Sequence, residues 1–196
     1  GTALATPLAA NGHDVRLWGT ERDAAIVAAL RAGAPHPRLG TPLPAGAAVY
    51  AAGEAAAALA GAELVVVAVT SDAVRAVVGD LAPLLDPAAI VTVAKGFDAG
   101  PRGDGVELLP DTIGAFSAAP VVAVGGPSKA NEVARGLPTH VVFAGPTAEA
   151  AARCAAAFAT PTYRIERSTD VAGVEIAAAM KNAYAIALSV GGGLER

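Results

Sequence analysis

Three short apolar runs, none interrupted by a charge, constrain this chain most: residues 64–69, 90–94 and 121–124. Each is of strand length and continuous rather than alternating. That pattern fits central parallel strands covered by helices on both faces, not strands with one wet side. Between them lie segments with helical spacing: one running to about Leu81 that Asp72 can cap, one near residues 106–116 and one around 129–134. Before them, residues 2–10 read as a helix closed by Asn11-Gly12, a pair suited to a left-handed cap. A strand over 15–18, a helix over 21–31, an irregular Pro-rich stretch over 34–44, a strand over 49–51 and a helix over 54–59 follow. After them come a strand over 140–143, a helix over 147–159 and a strand over 163–165. Strand and helix alternating in this way call for a doubly wound α/β sheet with right-handed crossovers.

Composition narrows the classes of function. Of the 196 residues 54% are hydrophobic and 16% charged, and the net charge is −4 with no basic run, which argues against nucleic acid as a partner. The apolar runs are far too short to span a bilayer, so the positive mean hydropathy of +0.48 reflects buried strands. One cysteine, Cys154, excludes a disulfide within the chain and suits a reducing compartment. His13, His36 and His140 share no spacing with carboxylates or Cys154 that would hold a metal. Ser71 and Ser128 have no partnered histidine, so a hydrolase triad is unsupported.

From about Ser168 the pattern changes. Residues 170–190 read as one long apolar helix with no strand after it, which opens a second, helical unit. Val174, Ile176, Ala177, Met180, Tyr184 and Leu188 suggest that this helix is well buried, yet it carries Lys181-Asn182 side by side. An ammonium in such a place needs a partner or a function; the plain alternative pairs Lys181 with Glu175 or Asp170. Lys95 stands directly after the second apolar run, at the carboxyl edge of the sheet, where open α/β sheets bind ligands. Gly125-Gly126-Pro127-Ser128 follows the third run. There a glycine permits close backbone approach and a hydroxyl can donate.

In this order the segments resemble the NAD(P)-dependent glycerol-3-phosphate dehydrogenases. Gly1-Thr2-Ala3-Leu4-Ala5 is similar to the tail of that family's GxGxxGTALA fingerprint, and Asn11-Gly12-His13-Asp14-Val15-Arg16-Leu17-Trp18 to the turn and strand that follow it. Ala94-Lys95-Gly96, Gly126-Pro127-Ser128, Glu132-Val133-Ala134-Arg135-Gly136-Leu137-Pro138-Thr139, Gly173-Val174-Glu175 and Met180-Lys181-Asn182 continue the match over nearly the whole chain.

The resemblance implies a Rossmann-type domain over residues 1–168 that binds NAD or NADP, followed over 169–196 by the first helix of an all-α C-terminal substrate domain. It implies that a first strand and two fingerprint glycines precede Gly1, that most of the helical domain lies beyond Arg196, and that this fragment alone would not turn over. The reaction implied interconverts dihydroxyacetone phosphate and sn-glycerol 3-phosphate and supplies phospholipid synthesis, in the cytoplasm, from a homodimer when intact.

Residue by residue, Lys181 takes the place of the proton-exchanging lysine, and Asn182 orients substrate or lysine. Lys95 meets both substrate and nicotinamide, Gly126 and Ser128 shape the substrate loop, and Ala130 meets the cofactor through its backbone. Gly1 takes the place of the last fingerprint glycine. At the end of the second strand, where the family often has Arg or His for a 2′-phosphate, this chain has Thr20, then Glu21 and Arg22; that leaves NAD and NADP both open. Two rival readings are a β-hydroxyacid dehydrogenase, which spaces its Lys and Asn several residues apart, and a non-catalytic nucleotide-binding module, which needs neither lysine.

Overall fold

The computed structural model describes residues 1–101, 103 and 105–194, with the side chains of Asn182 and of residues 187–194 outside the description. In chain order the elements are α1 (Ala5–Ala10, preceded by a 3-10 turn Thr2–Leu4), β1 (Arg16–Trp18), α2 (Ala24–Arg31), β2 (Ala48–Tyr50), α3 (Ala55–Leu59), β3 (Leu64–Val67), α4 (Ser71–Leu81), β4 (Ala89–Thr92), β5 (Phe97–Asp98), β6 (Glu107–Leu108), α5 (Leu109–Gly114), β7 (Val121–Gly125), α6 (Ala130–Ala134), β8 (Thr139–Ala144), α7 (Ala148–Phe158), β9 (Tyr163–Ser168) and α8 (Val171–Leu194).

The three apolar runs form the middle of the fold. Strands β3, β4 and β7 lie side by side and parallel, and the sheet continues through β8 and β9; β1 and β2 make a separate parallel pair. Every residue of β4 and β7 is buried, as two-sided coverage requires. Because successive strand side chains point to opposite faces, Ile90 and Val121 join Val74, Val78, Leu109 and Ile113 beneath α4 and α5. Their neighbours Val91 and Val122 join Val141, Phe143 and Phe158 on the other face. There the rings of Phe143 and Phe158 meet edge-on, centroids 5.4 Å apart.

Several expectations need correction. Strand β8 runs antiparallel to β7, with Val124 opposite Phe143, so the sheet is not wound by right-handed parallel crossovers throughout. The segment between them contains only the five-residue helix α6, less than the usual crossover helix. Asp72 does not cap α4: the cap position belongs to Thr70, and Asp72 lies in the first turn. After Lys95 the chain forms a two-residue antiparallel ladder of β5 and β6, which no periodicity announces. Arg75 of α4 clamps both of its strands, donating from Nε to Asp98 Oδ2 at 2.5 Å and from a terminal nitrogen to Glu107.

Nor is α8 buried all round. Glu175 and Ala178 are buried and Val174 half-buried, whereas Ile176, Met180, Tyr184 and Ile186 are exposed. One face of a uniformly apolar helix meets the sheet, and composition alone does not say which.

A cleft of about 1000 Å³ separates the facing edges of β1 and β3. Leu17 and Val49 line it on one side, Val65 and Val67 on the other.

Gly145, between β8 and α7, leads to the first test. A Cβ there would stand 2.9 Å from the backbone nitrogen of Ala151 and 3.2 Å from Val122 Cγ2. Neither can yield without moving α7 or the central strand. Gly145→Ala is expected to lower the unfolding free energy by about 1–3 kcal/mol, the usual cost of overpacking. Gly114→Ala, at a helical glycine with open space around it, is expected to be neutral or slightly stabilising. Urea unfolding of the two variants side by side checks both; equal midpoints would contradict the packing argument.

Candidate active site

The parallel strands β3, β4 and β7 end on one edge of the sheet, and the residues just beyond them form the candidate site. After β4 the chain passes through Lys95 to Gly96, whose φ of +137° suits glycine. A Cβ on Gly96 would lie 2.9 Å from Ser71 Oγ, so the loop carrying Lys95 sits directly on the amino end of α4. The Arg75 clamp fixes its other end. Lys95 is thus held between a strand and an anchored ladder.

After β7 comes Gly125, where a Cβ would come within 2.7 Å of Val174 Cγ1 and 3.9 Å of Ala178 Cβ. Helix α8 therefore lies against the strand backbone itself. Its start is fixed by Asp170, whose Oδ1 accepts from the Gly173 backbone N–H at 2.8 Å. Lys181 follows Val174 by seven positions and Ala178 by three, which places it on the same stripe of the helix, one turn beyond the contact.

The electrostatics tie the two lysines together. Lys95 as a residue is exposed, yet its ammonium is crowded enough that loss of solvation is the main cause of a proton affinity below the ordinary lysine value. Repulsion from Lys181 lowers it further, and attraction from Glu175 opposes both. Glu175 is 1% exposed, and burial pushes its carboxyl up to about 7, with Lys95 pulling the other way. Lys181 itself is exposed; the oxygens of Glu175 have no hydrogen-bond partner, and Asp170 accepts from the Gly173 backbone N–H, so among the described residues Lys181 pairs with neither.

Other residues singled out from the sequence lie round this centre in different ways. Gly126 adopts a φ of +108°, and a Cβ there would meet His140 O and Val141 Cα at 3.2 Å, so only glycine fits the turn. Among the described residues no hydrogen bond joins Ser128 to Lys95 or Lys181. Its influence falls on Tyr163, whose hydroxyl is buried without a hydrogen bond and whose proton affinity burial pushes up to about 12. Ala130 begins α6 and is exposed.

Gly1 packs against Ala68 beyond β3, where a Cβ would come within 3.1 Å of Ala68 Cβ. That tight approach fits a glycine cradle for a dinucleotide on this edge. At the end of β1, Thr20 is occupied locally: its backbone N–H and hydroxyl donate to Asp23 Oδ2 at 3.0 and 2.7 Å. Arg22 is exposed and near enough to Asp72 to help Thr70 hold that carboxyl below its ordinary range. The side chain of Asn182 lies outside the described residues. Among the described residues no group of three His, Cys, Asp or Glu side chains could hold a metal, and no helix is long and apolar enough to cross a membrane.

Sequence reasoning had Glu175 only as a possible ion-pair partner. The signal available was an acidic residue within an otherwise apolar stretch, Val174-Glu175-Ile176.

Fold and edge together define a Rossmann-type α/β domain with two lysines near the carboxyl edge of its sheet. Residues 1–151 match the NAD-dependent glycerol-3-phosphate dehydrogenase N-terminus, and the chain belongs to that family. It is 36% identical over 195 residues to the NADP(+)-dependent glycerol-3-phosphate dehydrogenase of Archaeoglobus fulgidus, covering 96% of this chain and 56% of that protein. It is 40% identical to the glycerol-3-phosphate dehydrogenase [NAD(P)+] of Myxococcus xanthus, covering 99% of this chain and 58% of that one. The crystal structure of glycerol-3-phosphate dehydrogenase from Coxiella burnetii superimposes with a TM-score of 0.84 at 30% identity, over 99% of this chain and 58% of that one. The chain thus spans little more than half the length of the relatives it matches.

Proposed function

We propose that the protein interconverts dihydroxyacetone phosphate and sn-glycerol 3-phosphate with NAD(P)H, supplying glycerol 3-phosphate for phospholipid synthesis in the cytoplasm. The observation that carries this reading is the pair Lys95 and Lys181, brought within electrostatic reach of each other at the carboxyl edge of a family sheet. The nicotinamide cofactor, when bound, supplies or accepts the hydride. Reduction of a ketone leaves negative charge on its oxygen, and Lys181 is suited to give that oxygen a proton and, in the reverse direction, to take one from the hydroxyl. Lys95, positively charged and poorly solvated, holds the carbonyl in place. Gly126 lets the substrate approach the turn after β7.

In this reading residues 1–168 form the cofactor-binding domain, and α8 begins the helical domain that completes the substrate site and the dimer. Both cofactors are accepted as candidates, because Thr20 is engaged by Asp23 while Arg22 remains exposed beside it.

The test is oxidation of NADH and of NADPH by the full-length protein with dihydroxyacetone phosphate. Turnover with at least one of them is expected, and a preference for NADPH would give Arg22 the 2′-phosphate. No turnover with either would overturn the assignment in favour of another hydroxyacid substrate or a non-catalytic nucleotide-binding role.

A further inference from the structure

Glu175 is the least comfortable residue in the fold. It is 1% exposed, and neither carboxylate oxygen has a hydrogen-bond partner. An ionised carboxylate so enclosed loses its hydration without replacement, and an apolar side chain of the same volume would pack the position better. It lies beside Val174, which touches Gly125, and three residues before buried Ala178, so it is on the side of α8 that faces the sheet.

The charged groups around it are few. Strand β7 carries no titratable residue. On β8, His140 is exposed and faces Glu166, and on β6, Glu107 is held by Arg75. Among the described residues Lys95 is the one charged group that acts on Glu175, and Glu175 opposes the repulsion that Lys181 exerts on Lys95. The two are not ion-paired in the structure, so the attraction acts through the field.

We propose that Glu175 is a positioning residue for Lys95: from the buried side of α8 its carboxylate attracts the Lys95 ammonium and keeps it charged at the sheet edge against Lys181. This inference rests on the reading of Lys95 and Lys181 as the substrate- and proton-handling pair. It assigns α8 two roles in the same site, one exposed and one buried.

The chain has three lysines, Lys95, Lys129 and Lys181, which makes amine acylation a direct readout. Lys129 is exposed and distant in role, paired only with Glu132. The full-length protein would be labelled at pH 8 with limiting acetic anhydride, and the rate at each lysine read by peptide mass spectrometry. In Glu175→Gln and in Glu175→Met, the second a packing-friendly replacement, Lys95 is expected to react at least about threefold faster, the effect of half a pH unit in its proton affinity. Lys129 is expected to be unchanged, and Glu175→Asp, which keeps the charge, to lie nearer wild type. Unchanged labelling of Lys95, or equal acceleration of Lys95 and Lys129, would overturn the proposal, the latter by showing general loosening. The same preparations assayed with dihydroxyacetone phosphate separate the two readings. An inactive wild type removes the proposed reaction, while the labelling still decides the role of Glu175.

Discussion

Lys181→Ala in the full-length protein is expected to lower kcat/KM for dihydroxyacetone phosphate at least about a hundredfold, the scale of a lost general acid. The loss should fall mainly on kcat. Lys181 lies one turn past the contact of α8 with β7, exposed and with no ion pair among the described residues, so removing it disturbs neither the core nor the capping of the helix by Asp170. What disappears is the proton for the oxygen on which charge develops, a contribution made in the transition state and only weakly in the ground state. Lys181→Arg is not expected to rescue the rate. A guanidinium keeps its proton across the working range, so it can neither give one to the developing oxyanion nor, in the reverse direction, take one from the hydroxyl. Steady-state rates with either nicotinamide cofactor check this. A loss below tenfold, with the melting temperature unchanged, would move the proton-exchanging role away from Lys181.

The largest effect expected on stability comes from Glu175. Burial raises its carboxyl to about 7 from an ordinary value of 4.5. Between those values the folded chain holds a proton that the unfolded chain releases, so stability falls as pH rises through the window and levels off above it. The difference amounts to a stability loss on the order of 3 kcal/mol between pH 4.5 and 7; with 1% exposure, solvent screening removes little of it. Glu175→Gln cannot ionise, and should lack this slope and be the more stable protein at pH 8. Unfolding free energies of wild type and variant at pH 5, 6, 7 and 8 give the difference directly. A gap that does not widen with pH would mean that Glu175 has found a partner or water in solution.

The central strands were legible because two-sided burial leaves a mark in sequence: Val65, Ile90 and Val122 stand in runs without a charged interruption. Lys95 was legible for a related reason, since it is the first charge after such a run. The direction of β8 was not, because an apolar run reads alike in either orientation and residues 126–138 are of a length that suits both. The β5–β6 ladder escaped notice because two-residue strands have no periodicity, and the Arg75 clamp that fixes them joins residues far apart in sequence. Glu175 was visible as a letter but not as a buried charge. Its enclosure arises only where α8 crosses the strand end at Gly125. The same crossing explains the misjudged burial of Ile176 and Tyr184, since a helix apolar on every side does not announce which side will be covered.

The bare backbone at Gly125 has a mechanical consequence. It acts as a pivot against which α8 is seated, and Lys181 lies three residues past Ala178, a lever arm of about 4.5 Å along the helix axis. Over so short an arm, bending of the helix moves the ammonium very little, so the position of the lysine is referenced to the sheet and not to whatever α8 leads into. Lys181 is therefore indexed to the same rigid body as Lys95, although the two reach the edge from segments more than eighty residues apart.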